Sequence, residues 1–144
     1  MTGSVSTGIL LGGHDVLATS PSSPLQWVQV IRHGIPSSSV DSLSASLRIS
    51  QTELASMLGI PYRTLARRKR EGILNSEESA KMVRLARVIE RAEDVFGSLE
   101  MAVDWLKSQN MALSGLTPLS LMDTDVGSES VLDTLGRIEH GVFA

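Results

Sequence analysis

The sequence predicts an all-α protein, and three observations carry that prediction. Apolar residues recur every three or four positions through most of the chain, as the inner face of a helix requires. No segment alternates apolar and polar residues over strand length. The periodic stretches are also punctuated as helices are, by Ser or Asn in front and Gly behind. With 144 residues, 42% apolar and 20% charged, the chain has room for one packed domain or for two small helical lobes sharing a core.

Residues 1–21 are rich in Ser, Thr and Gly without a sustained period, and are expected to be disordered or loosely attached. A helical N-terminal lobe is expected over 22–72. Ser23 is placed as an N-cap with Pro24 at the first helical position, where its missing N–H costs nothing. Leu25, Val28 and Ile31 mark the apolar face, and Gly34 the stop. Val40, Leu43 and Leu47 form the next stripe, in a serine-rich segment of weak helix propensity that packing must hold.

Ser50 and Glu53 have the spacing of a capping box. Leu54, Met57 and Leu58 then face inward, Gly59 supplies a left-handed turn, and Pro61 opens a second short helix with Leu65 as its buried residue. Tyr62, Arg63, Thr64, Arg67 and Arg68 are left free to project. Residues 50–70 therefore read as a helix-turn-helix.

A C-terminal helical lobe is expected over 73–144. Asn75 or Ser76 caps a long helix to about Phe96, with Met82, Leu85, Ala86, Ile89, Ala92 and Phe96 as its stripe. Its Lys81, Arg84 and Arg91 are expected in solvent, paired with Glu77 and Asp94 across one turn. Ser98 caps a helix with Ala102, Trp105 and Leu106 inward, and Gly115 closes a loop from Asn110 to Leu116. Thr117–Pro118 starts a short helical turn, in which Leu116 and Pro118, like Trp105, are expected to pack. Asp123–Gly127 reads as a loop, and Ser128 to about His140 as the last helix, with Val131, Leu135 and Ile138 together.

The net charge of −3 conceals an asymmetry. Residues 48–72 carry six cations against two carboxylates, whereas residues 73–144 carry six against twelve. A basic island in an acidic chain points to a polyanion at one face and a different partner elsewhere. The absence of cysteine removes disulfide and thiolate chemistry and suits a reducing cytoplasm. The run Ile9–Leu11 is cut by Gly12–Gly13, so neither a signal peptide nor a membrane span is expected. Enzyme chemistry finds no footing: His14, His33 and His140 are isolated, GILLGG is a glycine pair without a following helix, and no metal or cofactor is expected.

For DNA, the N-terminal turns of a recognition helix lie nearest the base edges. Arg63 and Thr64 sit there, and Gln51 opens the preceding helix where phosphates pass. Arg63 or Arg67 is expected to read a guanine, with Arg68, Lys69 and Arg70 neutralising phosphates. At the other end, Gly136 interrupts a helix at a cost of about 1 kcal/mol relative to alanine, so a neighbouring helix or a partner must approach it. Arg137, Glu139 and His140 then face outward, followed by Gly141, Val142, Phe143 and Ala144. Phe143 either docks on a partner or folds back on its own domain.

From about Gly34 to Ala144 the sequence resembles the Xre/MbcA/ParS family of type II antitoxins. The resemblance rests on RTLARR from Arg63, Gly97, Trp105–Leu106, Gly115-x-Thr-Pro118 and the closing LGRIEHGVFA, which are specific only together. It implies an antidote to a cognate RES-domain toxin that consumes NAD or transfers its ADP-ribose, inhibited by direct binding. It further implies a homodimer that binds operator DNA and represses its own operon, and a larger toxin–antitoxin hetero-oligomer. Gly136 to Ala144 would then be the toxin-binding end, docking at or beside the NAD pocket. The rival reading is a stand-alone transcriptional regulator whose C-terminal domain only dimerises.

Overall fold

The computed structural model of the chain describes residues 6–13 and 21–141. Its helices are α1 (Thr7–Leu10), α2 (Pro24–His33), α3 (Ser39–Leu47), α4 (Gln51–Leu58), α5 (Tyr62–Glu71), α6 (Ser76–Phe96), α7 (Leu99–Leu106) and α8 (Asp125–Glu139). Two 3-10 turns, Met111–Leu113 and Pro118–Leu121, lie between α7 and α8. No strand occurs among the described residues, only isolated bridges pairing Pro36 with Ile73 and Asn110 with Leu116. Among the described residues, no helix is long and apolar enough to cross a membrane.

Local chemistry sets most helix starts. The Ser23 hydroxyl accepts the Gln26 N–H at 3.3 Å. Ser50 and Glu53 form the reciprocal box, at 3.1 and 3.2 Å. Asn75 and Glu78 form a second one, at 2.8 and 2.9 Å. Each satisfies backbone donors that the helix itself cannot, worth about 1 kcal/mol apiece.

The core is built around α6, which touches α1, α2, α7 and α8. Met82, Leu85, Ala86, Ile89 and Ala92 are fully buried, and Val83 and Val88 are buried too, so the inner face is wider than one stripe. Val40, Leu43, Leu47, Leu54, Leu58 and Leu65 complete the N-terminal side. Side chains of this size contribute about 1.5–3 kcal/mol each when fully buried. The two halves are tied directly: the Lys107 ammonium donates to the Leu47 and Arg48 carbonyls at 2.9 and 3.2 Å, and Arg48 pairs with Asp104 at 2.9 Å.

Several expectations are corrected. Residues 6–13 are docked, not loose: Leu10 and Leu11 are buried, the Ser39 hydroxyl donates to the Leu11 carbonyl, and Thr7 donates to Glu90, both at 2.8 Å. In α2 the inner side chains are Trp27, Val30 and Ile31, while Leu25 is 77% exposed and Val28 also faces solvent. The hydrogen-bonded partners of Arg84 and Arg91 lie on α8 rather than one turn away, although Arg91 also feels the Asp94 carboxylate. Arg84 reaches Asp125, and Arg91 grips both oxygens of Glu139 at 2.6 and 3.0 Å. Lys81 does pair with Glu77, at 3.9 Å. Leu116, expected to pack, is half exposed.

The last helix begins three residues before Ser128, because Thr124 caps it by accepting the Gly127 N–H at 2.9 Å. Gly127 is required there: a Cβ at this position would lie 2.0 Å from the Leu121 carbonyl oxygen. That close approach seats α8 on the 3-10 turn before it.

Candidate functional site

The first candidate surface is the outer side of α4 and α5. Gly59, at φ 68°, makes the left-handed turn between them, and Leu65 alone anchors α5 inward. Arg63 is exposed on the first turn of α5 beside half-exposed Tyr62, and Thr64 is partly buried. Neither Arg63 nor Arg70 has an ion-pair partner among the described residues, and Arg67 lies 3.8 Å from Glu71.

The other cations are occupied. Arg68, expected to project freely, donates to Glu78 at 2.8 Å and to Glu71 at 3.0 Å, with its side chain 20% exposed. Glu78 first, then Glu71, hold its guanidinium above the ordinary arginine range. Glu78 is also the capping residue of α6, so Arg68 fixes the end of α5 against the next helix. Lys69 donates to Asp41 at 2.9 Å and to the Gln51 side-chain Oε1 at 2.8 Å, while the Gln51 side-chain Nε2 donates to Asp41. Asp41, Gln51 and Lys69 thus knit α3, α4 and α5 together. Asp41 and Glu78 had no place in the sequence reading of this surface, because nothing in local spacing marks a carboxylate 28 positions before its partner lysine.

The second surface is the C-terminal end of α8. Val131 and Leu135 are fully buried, which turns Leu132, Arg137, Glu139 and His140 outward. Glu139 is nevertheless not free: its pair with Arg91 holds its carboxyl below the ordinary range, and nearby His140 adds least to that shift. Around Gly136, nothing among the described residues lies within 4 Å of where a Cβ would stand, so none of the described helices explains this glycine. Gly141 follows the helix, and Val142, Phe143 and Ala144 lie outside the described residues. Between α2, α6 and α8 runs an open groove of about 810 Å³, lined in part by Ile31, Val83, Arg87, Leu132 and the buried, unpaired Nε of Arg84.

Two protein families match, end to end. Residues 26–87 match the antitoxin Xre-like helix-turn-helix domain, and residues 91–141 match the antitoxin Xre/MbcA/ParS C-terminal toxin-binding domain. The two meet inside α6, whose faces serve both. Antitoxin Xre of Yersinia enterocolitica is 35% identical over 119 residues, covering 81% of this chain and 80% of its own. Antitoxin Xre of Photorhabdus laumondii is 31% identical over 117 residues, with 80% and 79% covered. The Prs ADP-ribosylating antitoxin of Sphingobium is 27% identical over 132 residues, with 85% and 83% covered. An all-helical chain with a cationic helix-turn-helix, followed without a break by this C-terminal domain, belongs to the Xre family of antitoxins.

Proposed function

We propose that the chain neutralises a RES-domain toxin that consumes NAD or transfers its ADP-ribose, and that it represses the operon encoding the pair. One observation carries the choice of toxin chemistry. The Sphingobium relative, similar over 85% of this chain, has ADP-ribosylation in its name. The repressor half rests on α4 and α5, where Arg63 stands unpaired on the turn nearest the base edges. In this reading Arg63 or Arg67 reads a guanine and Arg70 meets phosphate, while Gln51, Thr64, Arg68 and Lys69 set the pose of the helix and add contacts. A homodimer presents two such helices to an operator.

For inhibition, the end of α8 is the contact, from Gly136 through Arg137, Glu139 and His140 to Gly141, Val142, Phe143 and Ala144. An internal glycine with no neighbour at its Cβ position among the described residues supports a partner's close approach at that point. Because α8 ends at Glu139, which Arg91 holds, a chain lacking residues 140–144 is expected to stay folded but no longer neutralise; full neutralisation by that truncation overturns the role of the tail. The whole reading is tested by co-expressing the chain with its neighbouring reading frame and following growth and cellular NAD. Rescue of both, with co-purification, is the expected result. Absence of toxicity and of a complex leaves a stand-alone regulator.

A further inference from the structure

The loop from Asn110 to Leu116 is built more firmly than a connection needs to be. Asn110 organises it: its N–H donates to the Leu116 carbonyl at 3.0 Å, its carbonyl accepts from Leu113 at 3.0 Å and Gly115 at 2.8 Å, and its side-chain oxygen accepts from Ala112 at 2.9 Å. Ser114 and Leu116 donate back to Met111 and Leu113, both at 3.1 Å. Ser114 takes up a left-handed conformation, φ 59°, which is costly for a residue with a side chain. Leu113 pins the loop to the core, and buried Pro118 and Leu119 follow directly.

Beside exposed Ala112 and Ser114, this frame holds two large apolar side chains outward. Met111 is 89% exposed and Leu116 is 49% exposed. Single exposed hydrophobics are ordinary on a protein surface. A methionine this exposed on a loop closed by its own hydrogen bonds and anchored by Leu113 is different, because it stands already in place for a partner.

We propose that loop 110–116 is a preformed apolar knob for the toxin, with Met111 and Leu116 entering an apolar pocket on that partner. The assignment rests on the toxin-binding reading above. The loop lies inside residues 91–141, and its 3-10 turn packs against α8, the helix that carries Gly136. Knob and helix are therefore one continuous body. Preorganisation means that little loop entropy is lost on binding, and a flexible thioether side chain adapts to an irregular pocket.

The test is a titration of the full chain with the purified protein of the neighbouring reading frame, comparing Met111→Asp and Met111→Leu with the unaltered chain. Met111→Asp weakens the complex by about tenfold or more, as expected of an anchor residue. Met111→Leu retains binding, and both variants keep the melting temperature because the side chain touches solvent. Equal binding by Met111→Asp overturns the knob while leaving the antitoxin reading intact. A smaller particle for free Met111→Asp on gel filtration overturns it too, by making the loop a contact between copies of this chain. If the unaltered chain fails to bind, the toxin reading falls and the knob with it.

Discussion

Helices α5 and α8 carry the two candidate surfaces, and each is held in place by part of the residue set that makes it conspicuous. α5 uses Arg68 and Lys69 as struts to Glu78 and Asp41, and leaves Arg63 and Arg70 unpaired at its two ends. α8 uses carboxylates at both ends, Asp125 to Arg84 and Glu139 to Arg91, and leaves its outer middle open. A count of charges along a helix therefore overstates what is available to a partner. Pairing subtracts from it, and the subtraction is different at each position.

The sharpest way to break this comparison lies within α8 itself. Gly127→Ala drives a methyl against the Leu121 carbonyl, and is expected to cost about 2–4 kcal/mol in denaturant unfolding. Gly136→Ala meets nothing, so it raises stability by roughly 0.5–1 kcal/mol while weakening the toxin complex. A loss of stability at Gly136 of the size expected at Gly127 would remove the case for a partner there.

On α5 the same logic separates an unpaired arginine from a strut. Arg63→Ala leaves the melting temperature unchanged and costs about 1–3 kcal/mol of discrimination between operator and random DNA. Equal losses on both DNAs show that Arg63 does not read a base. Arg68→Ala lowers the melting temperature, because Glu78, buried beside it, loses its cation. Arg70→Ala affects all sequences alike and reduces the salt slope of binding by about one.

The smallest effect is a titration. Glu139 has a lowered carboxyl pKa in the folded chain, so its pair with Arg91 adds stability above the ordinary carboxylate range and loses it as pH falls through the lowered value. Amide exchange at the last turn of α8 should accelerate over that window, and Glu139→Gln should abolish the dependence.

What was legible in the sequence was local. The Ser50–Glu53 capping box, the Gly59 turn and the stripe of α6 follow from spacings of three and four residues; the second box, Asn75 with Glu78, was not read from them. What escaped it was tertiary. Spacing offers Glu77 and Asp94 to the cations of α6, whereas the carboxylates that hydrogen-bond Arg84 and Arg91 lie 41 and 48 positions on. Leu25 and Val28 share a helical stripe with Ile31, but α6 receives Trp27, Val30 and Ile31 instead. Gly127 looked like loop material, because the carbonyl that demands it belongs to another turn. At the candidate sites, spacing picked out the cations of α5 but not which of them are struts, nor Asp41 and Glu78 that make them so.

The docking of residues 6–13 has a consequence in time. Thr7 finds Glu90 across 83 positions, so during synthesis this segment waits for its full seat until α6 has been made. At about 5–20 residues per second that is roughly four to seventeen seconds, during which Leu10 and Leu11 lack the α6 side of their core. The growing chain is thus more open to proteases at this segment than the finished one.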